Sequence, residues 1–162
     1  MDVPEMGVDS ERQMTQEMFC AVDPGREKFG VAFGFPDELV YAAIVPAERT
    51  CTALGCAASG NWEPLSEWST EGRPPTGCAI SRIFLGDGTS HEKYAELMRE
   101  YYIVPSLVRE HMTTLEARDL YWRLHPPSGI FRLIPLALRT PPRSIDDMAA
   151  WAIMKRAVSV IL

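Results

Sequence analysis

Three carboxylates in this chain fall where acid chemistry could be assembled. Asp23 closes the apolar run "FCAV" and opens the turn "DPG". Glu110 follows the apolar stretch 103–108, and Asp146 opens the run "DDMAAWAI". Carboxylates gathered in a small volume repel, and a divalent cation is one resolution of that repulsion. Oxygen ligands without paired histidines or a nearby cysteine suit Mg2+ or Mn2+. Two such ions about 4 Å apart can activate a water and stabilise the leaving oxygen of a phosphodiester. Each acid also has a plainer role open to it. Asp23 can serve only to start the turn before Pro24. Glu110 can be a solvated strand end. Asp146 and Asp147 fall in a first helical turn, where acids favour the dipole, and Asp147 can complete the cap of Ser144.

The elements that must position these acids follow from the pattern of apolar residues and turns. Residues 19–22 form a short buried strand, 29–35 a second and 39–45 a third, separated by Asp-Pro-Gly and Pro-Asp-Glu turns. Tight turns make these three an antiparallel meander, and the first strand is expected at the centre of the whole sheet. A helix over 47–58 has a poor pattern, weakened by Gly55 and threonines. The whole stretch 50–79 should therefore be the least regular interior segment. Residues 83–85 read as a fourth strand, 91–101 as a helix and 103–108 as a fifth strand. "TTLE" at 113–116 is a capping-box start for a helix that stops before Pro126. A proline-bounded excursion fills 128–143, and a last helix begins after Ser144. The expected fold is α/β: a five-stranded mixed sheet in the order β-β-β-α-β-α-β-α, flanked by helices. Strands reached through helices should run parallel to their neighbours.

Composition bounds the setting. The chain has 162 residues and a net charge of −6, which suits one domain and excludes a uniformly basic surface. Residues 1–22 carry five acids and one arginine, while 118–162 carry seven bases and three acids. The acidic, aperiodic residues 1–17 read as a flexible leader to a domain over 18–162. Arg132, Arg139 and Arg143 could contact phosphates, or could be solvated loop arginines. Cys20 reads as a small core residue, and the spacing of Cys51 and Cys56, with no histidine nearby, does not favour zinc. Without an apolar signal region or a run long enough to span a bilayer, the expected location is the reducing cytoplasm, with no membrane partner.

Three stretches carry a family resemblance. "AVDPGREKFGVAFG" resembles the opening motif of the YqgF/RuvX family of RNase H-like, Holliday-junction-resolvase-like nucleases. "VREHMTTLEAR" at 108–118 resembles that family's second motif, and "SIDDMAAWAI" at 144–153 its third. The three occur in the family's order and span about 19–158. The resemblance implies an RNase H-like fold, Mg2+ or Mn2+ as cofactor, and Asp23, Glu110 and Asp146 as catalytic metal ligands. Asp87 falls where resolvases of this fold place an acid, though it can instead cap the helix after it; it and Asp147 are further candidate ligands. Arg109 and His111 depart from the family's usual acid and arginine, and 50–79 supplies a poor helix where the family has a clear one.

The function implied is a metal-dependent endonuclease acting on structured nucleic acid, either ribosomal RNA precursors or branched DNA, with a homodimer allowed. The alternative is a non-catalytic RNase H-like nucleic-acid-binding or scaffold module. An actin-like phosphotransferase would need two lobes, which one short domain does not supply.

Overall fold

The computed structural model describes residues 18–77, 80–111 and 113–161. The leader 1–17 and Cys78 lie outside the described residues. The strands are Met18–Asp23 (β1), Lys28–Gly34 (β2), Leu39–Pro46 (β3), Ser69–Gly72 (β4), Ile80–Gly86 (β5) and Ser106–Val108 (β6). The helices are Thr50–Ser59 (α1), His91–Glu100 (α2), Thr113–Leu124 (α3) and Asp146–Ile161 (α4). Short 3-10 turns lie at Ala47–Arg49, Glu63–Trp68, Gly129–Leu133 and Leu136–Leu138.

One mixed sheet results, in the order β4-β3-β2-β1-β5-β6. β1 to β4 pair antiparallel, and β1, β5 and β6 run parallel. The meander, the internal position of β1 and the parallel pairing of the later strands agree with the sequence reading. The sheet has six strands rather than five. β4 is the addition: "STEG" carries no apolar alternation, but it completes the free edge of β3, pairing Gly72 with Tyr41 and Glu71 with Ala42.

Residues 50–77 of the stretch expected to be irregular are also more regular than their composition suggests. α1 forms because Ala53, Leu54 and Cys56 bury one face against the sheet, and it ends at a left-handed Gly60. Small residues hide the helical period from a hydrophobicity pattern without preventing the packing. β6 starts three residues later than the apolar run: Tyr102 takes a positive φ of 59°, and Pro105 has no N–H to give a ladder.

Alternation along β1 divides the core between the two sheet faces. Cys20 and Val22 join Phe29, Val31 and Phe33 beneath α1 and α2. Ala21 joins Ala32 and Phe84 beneath α3 and α4. Val22 pairs with Leu85, and Leu85 with Leu107, so the carboxyl ends of the three parallel strands finish level. Asp23 ends one of them, while Asp87 and Glu110 follow the other two. Ligand sites of open α/β sheets lie at such an edge. Among the described residues no helix is long and apolar enough to cross a membrane.

Candidate functional site

Asp23 projects to the face covered by α3 and α4, two residues on from Ala21. Its partner in the ladder is Gly30. A Cβ at Gly30 would sit 1.9 Å from the Asp146 carbonyl oxygen, so only glycine lets the start of α4 descend on β2 beside Asp23. The turn after Asp23 is fixed from the other face, where the Tyr94 hydroxyl donates to the Gly25 carbonyl at 2.8 Å.

Glu110 is set by the neighbouring strand end. The Asp87 N–H donates to the Val108 carbonyl at 2.9 Å, and Asp87 Oδ1 accepts the Glu110 N–H at 2.9 Å. These bonds carry the pairing of β5 and β6 past their ends. The Glu110 side chain lies in a cradle of two glycines. A Cβ at Gly86 would fall 2.0 Å from Glu110 Oε1, and one at Gly88 would fall 2.6 Å from Oε2. His91 closes the rim, its Nδ1 donating to the Gly88 carbonyl at 2.7 Å.

Asp23 and Glu110 thereby become electrostatic partners. Burial pushes the Asp23 carboxyl up to about 8, helped by the charges of Glu110 and Asp146 and by a hydrogen bond to Glu110. Burial raises Glu110 as well, while hydrogen bonds from Asp23 and the Gly88 backbone pull it back. Glu110 Oε1 is buried with no donor on it among the described residues. Two carboxylates in contact, one with an orphaned oxygen, are relieved by a shared proton or by a cation.

Asp146 is close enough to raise Asp23, but its carboxylate is occupied. Oδ2 accepts the Ser144 hydroxyl at 2.6 Å and lies 3.3 Å from Lys28 Nζ. Lys28 also donates to Ser144. Among the described residues no three His, Cys, Asp or Glu side chains are arranged to hold one ion. Asp23 and Glu110 are brought together, then, with Asp146 beside them and turned toward lysine. The all-oxygen donor set, the glycine cradle and the orphaned Glu110 oxygen fit a hard divalent cation.

The remaining candidates stand elsewhere. Asp147 is fully buried and does not cap α4 with Ser144. Its Oδ1 and Oδ2 accept both Arg143 Nη groups at 3.0 and 2.9 Å, and Oδ2 also accepts the Thr70 hydroxyl at 2.7 Å. Glu71 completes the group, 3.4 Å from Arg143 and accepting His125 Nε2 at 2.5 Å. Burial works against the Arg143 charge, but the Asp147 hydrogen bonds and the charges of Asp147 and Glu71 outweigh it and hold the guanidinium more firmly protonated. Asp87 does not cap α2; it orients Glu110. Arg139 donates to the carbonyls of Ile134 and Arg132, and Arg132 to that of Pro127, so both staple the excursion that carries them.

Lys28 and Arg118 were not singled out in the sequence. Lys28 belongs to the charged turn between two strands and reads as solvated until Asp146 is known to lie against it. Arg118 lies one helical turn beyond Thr114 on α3, and that spacing was the available signal. No family model matches the chain, and no curated protein is significantly similar to it in sequence.

Proposed function

We propose that the protein is a metal-dependent endonuclease of RNase H-like fold, acting on structured nucleic acid in the cytoplasm. The observation that carries this reading is the Asp23–Glu110 pair at the level strand ends, with a buried Glu110 oxygen lacking a donor. The three-motif resemblance supports it independently. Asp23 and Glu110 would hold Mg2+ or Mn2+; Asp146, the third ligand that the resemblance implies, would have to turn from Lys28 and Ser144 to join them. When bound, the metal supplies water activation and stabilisation of the leaving oxygen in phosphodiester hydrolysis. The chain's own part is positioning. Asp87 fixes the Glu110 backbone, Gly86 and Gly88 give its carboxylate room, and Gly30 brings Asp146 to Asp23. Lys28 restrains Asp146 and limits repulsion among the acids.

A second reading, a non-catalytic nucleic-acid-binding module, is favoured by one observation. The Lys28 ammonium already sits where a cation would answer Asp146. Cleavage of RNA hairpins and four-way DNA junctions in Mg2+, Mn2+ and EDTA separates the two. The nuclease reading expects metal-dependent products that EDTA abolishes, and a loss of at least about a hundredfold in Asp23→Asn, the scale of removing one charge-stabilising group. A wild-type protein that binds these nucleic acids but cleaves none gives the second reading its place.

A further inference from the structure

Beside Asp23 and Asp146, which line it, a groove of about 310 Å3 runs between α3, the chain 140–145 and the start of α4. Thr114, Ala117 and Arg118 lie on its α3 side, at spacings of three and four residues that put them on one helix face. Ala149 lines the α4 side, and its small side chain, like that of Ala117, leaves the space between the helices open. Two arginines reach the groove. Arg143 is consumed by Asp147 and Glu71. Arg118 makes no ion pair and no side-chain hydrogen bond among the described residues, and it is half-buried. A chain of net charge −6 repels nucleic acid at a distance, so binding depends on where cations are held close to the strand's path.

The geometry points to Arg118 as a phosphate-binding residue: a nucleic-acid strand lies in the α3–α4 groove, with one phosphate at the carboxylates and a flanking phosphate on the Arg118 guanidinium. This inference rests on the proposed nuclease reading and names where its substrate lies. Arg118 is suited to the task because its planar donors match phosphate oxygens and have no competing carboxylate. The three excursion arginines marked by the sequence are tied to the protein itself, so among the described arginines that line the groove the one without a partner lies on α3.

The test is binding of a fluorescein-labelled RNA hairpin and a labelled four-way DNA junction, followed by anisotropy with Ca2+ replacing Mg2+, between about 50 and 200 mM KCl. Arg118→Gln is expected to weaken binding several-fold and to reduce the slope of log affinity against log salt by about 0.7–0.9, the loss of one phosphate contact. Arg118→Lys should keep the slope. Ala149→Leu, which narrows the groove without changing charge, should weaken binding too. Melting temperatures near wild type confirm that each variant is folded, and Ala149→Leu carries the test if Arg118→Gln is not. An unchanged slope in folded Arg118→Gln overturns the assignment, as does unchanged binding by Ala149→Leu or tighter binding of an acidic peptide than of either nucleic acid. Intact cleavage with an unchanged slope leaves the nuclease reading standing and removes Arg118. Absent cleavage with a reduced slope does the reverse, and wild-type binding to neither probe overturns both.

Discussion

Asp146 and Asp147 are adjacent at the start of α4, yet they belong to two differently built acid clusters. On one side Asp147 is fully buried and accepts three hydrogen bonds, two from Arg143 and one from Thr70, with Glu71 and His125 extending the network. On the other, Asp23 and Glu110 are pressed together, one buried Glu110 oxygen has no donor among the described residues, and Lys28 reaches Asp146 and Ser144 instead. The first cluster spends its charges on holding β4, the end of α3 and the start of α4 together. The second keeps charge uncompensated at a strand edge that opens into a groove. A protein interior tolerates the first arrangement because every donor and acceptor is answered. The second persists only if something outside the chain answers it or if a proton stays on Asp23.

The largest effect should come from breaking the compensated cluster. Asp147→Ala would leave the Arg143 guanidinium and Thr70 hydroxyl without their buried partner. Losing one member of a buried pair typically costs about 3–5 kcal/mol. At about 2–4 °C per kcal/mol for a chain of this size, the melting temperature should fall by roughly 10 °C. Urea unfolding followed by circular dichroism measures it. A loss under about 1 kcal/mol would mean that the network is not a structural clamp, and the contrast between the clusters would collapse.

The uncompensated cluster should respond in the opposite sense. The Asp23 pKa is raised from 3.8 to about 8, so the native state holds a proton that the unfolded state has released across that window. The Asp23 contribution to metal-free stability should therefore be full below about pH 4 and be lost as pH rises toward 8. Asp23→Asn removes this titration and should flatten the decline, melting higher than wild type at pH 8 without metal. Mg2+ should raise the wild-type melting temperature, since a ligand of the native state contributes about 2.7 kcal/mol at a hundred times its Kd. That rise should shrink in Asp23→Asn. Differential scanning fluorimetry across pH, with Mg2+ and with EDTA, reads all of this. An Asp23→Asn protein less stable than wild type at pH 8 would restore the plain turn role for this residue.

The two clusters were also unequally legible. Asp23 and Glu110 could be found because each follows an apolar run, and the sheet then levels the ends of those runs. The Asp147 network could not. It needs Glu71 and Thr70 from β4, a strand whose four residues carry no apolar alternation. Without β4 in view, Asp147 reads as a cap and Arg143 as a loop cation. Helix α3 was legible in its approximate bounds, but its capping box was not formed as expected: the Thr113 hydroxyl bonds the Glu110 carbonyl while Glu116 pairs with Arg156. Local sequence indicates where an element starts. It does not indicate which distant partner competes for the capping side chain.

The smallest expected effect tests how the uncompensated cluster is held. Asp87 carries a carboxylate near Glu110 and adds to the charge felt there, yet its Oδ1 is engaged with the Glu110 N–H at 2.9 Å. It can act as a ligand or as a positioning residue, and two substitutions tell these apart. Asp87→Ala removes both the charge and the acceptor; Asp87→Asn removes the charge and keeps an oxygen that can accept the same N–H. If Asp87 positions Glu110, Asp87→Ala should raise the Mg2+ concentration for half-maximal cleavage by about tenfold, the lower end of what outer hydrogen-bond partners of metal ligands contribute. Saturating Mg2+ should restore most of the rate, and Asp87→Asn should resemble wild type. Stability should drop by no more than about 1 kcal/mol in Asp87→Ala, because water can take over an exposed N–H. If Asp87 is itself a ligand, Asp87→Asn should be as impaired as Asp87→Ala, since the amide oxygen brings no negative charge to the ion. Mg2+ titrations of the cleavage rate for the three proteins decide between these outcomes.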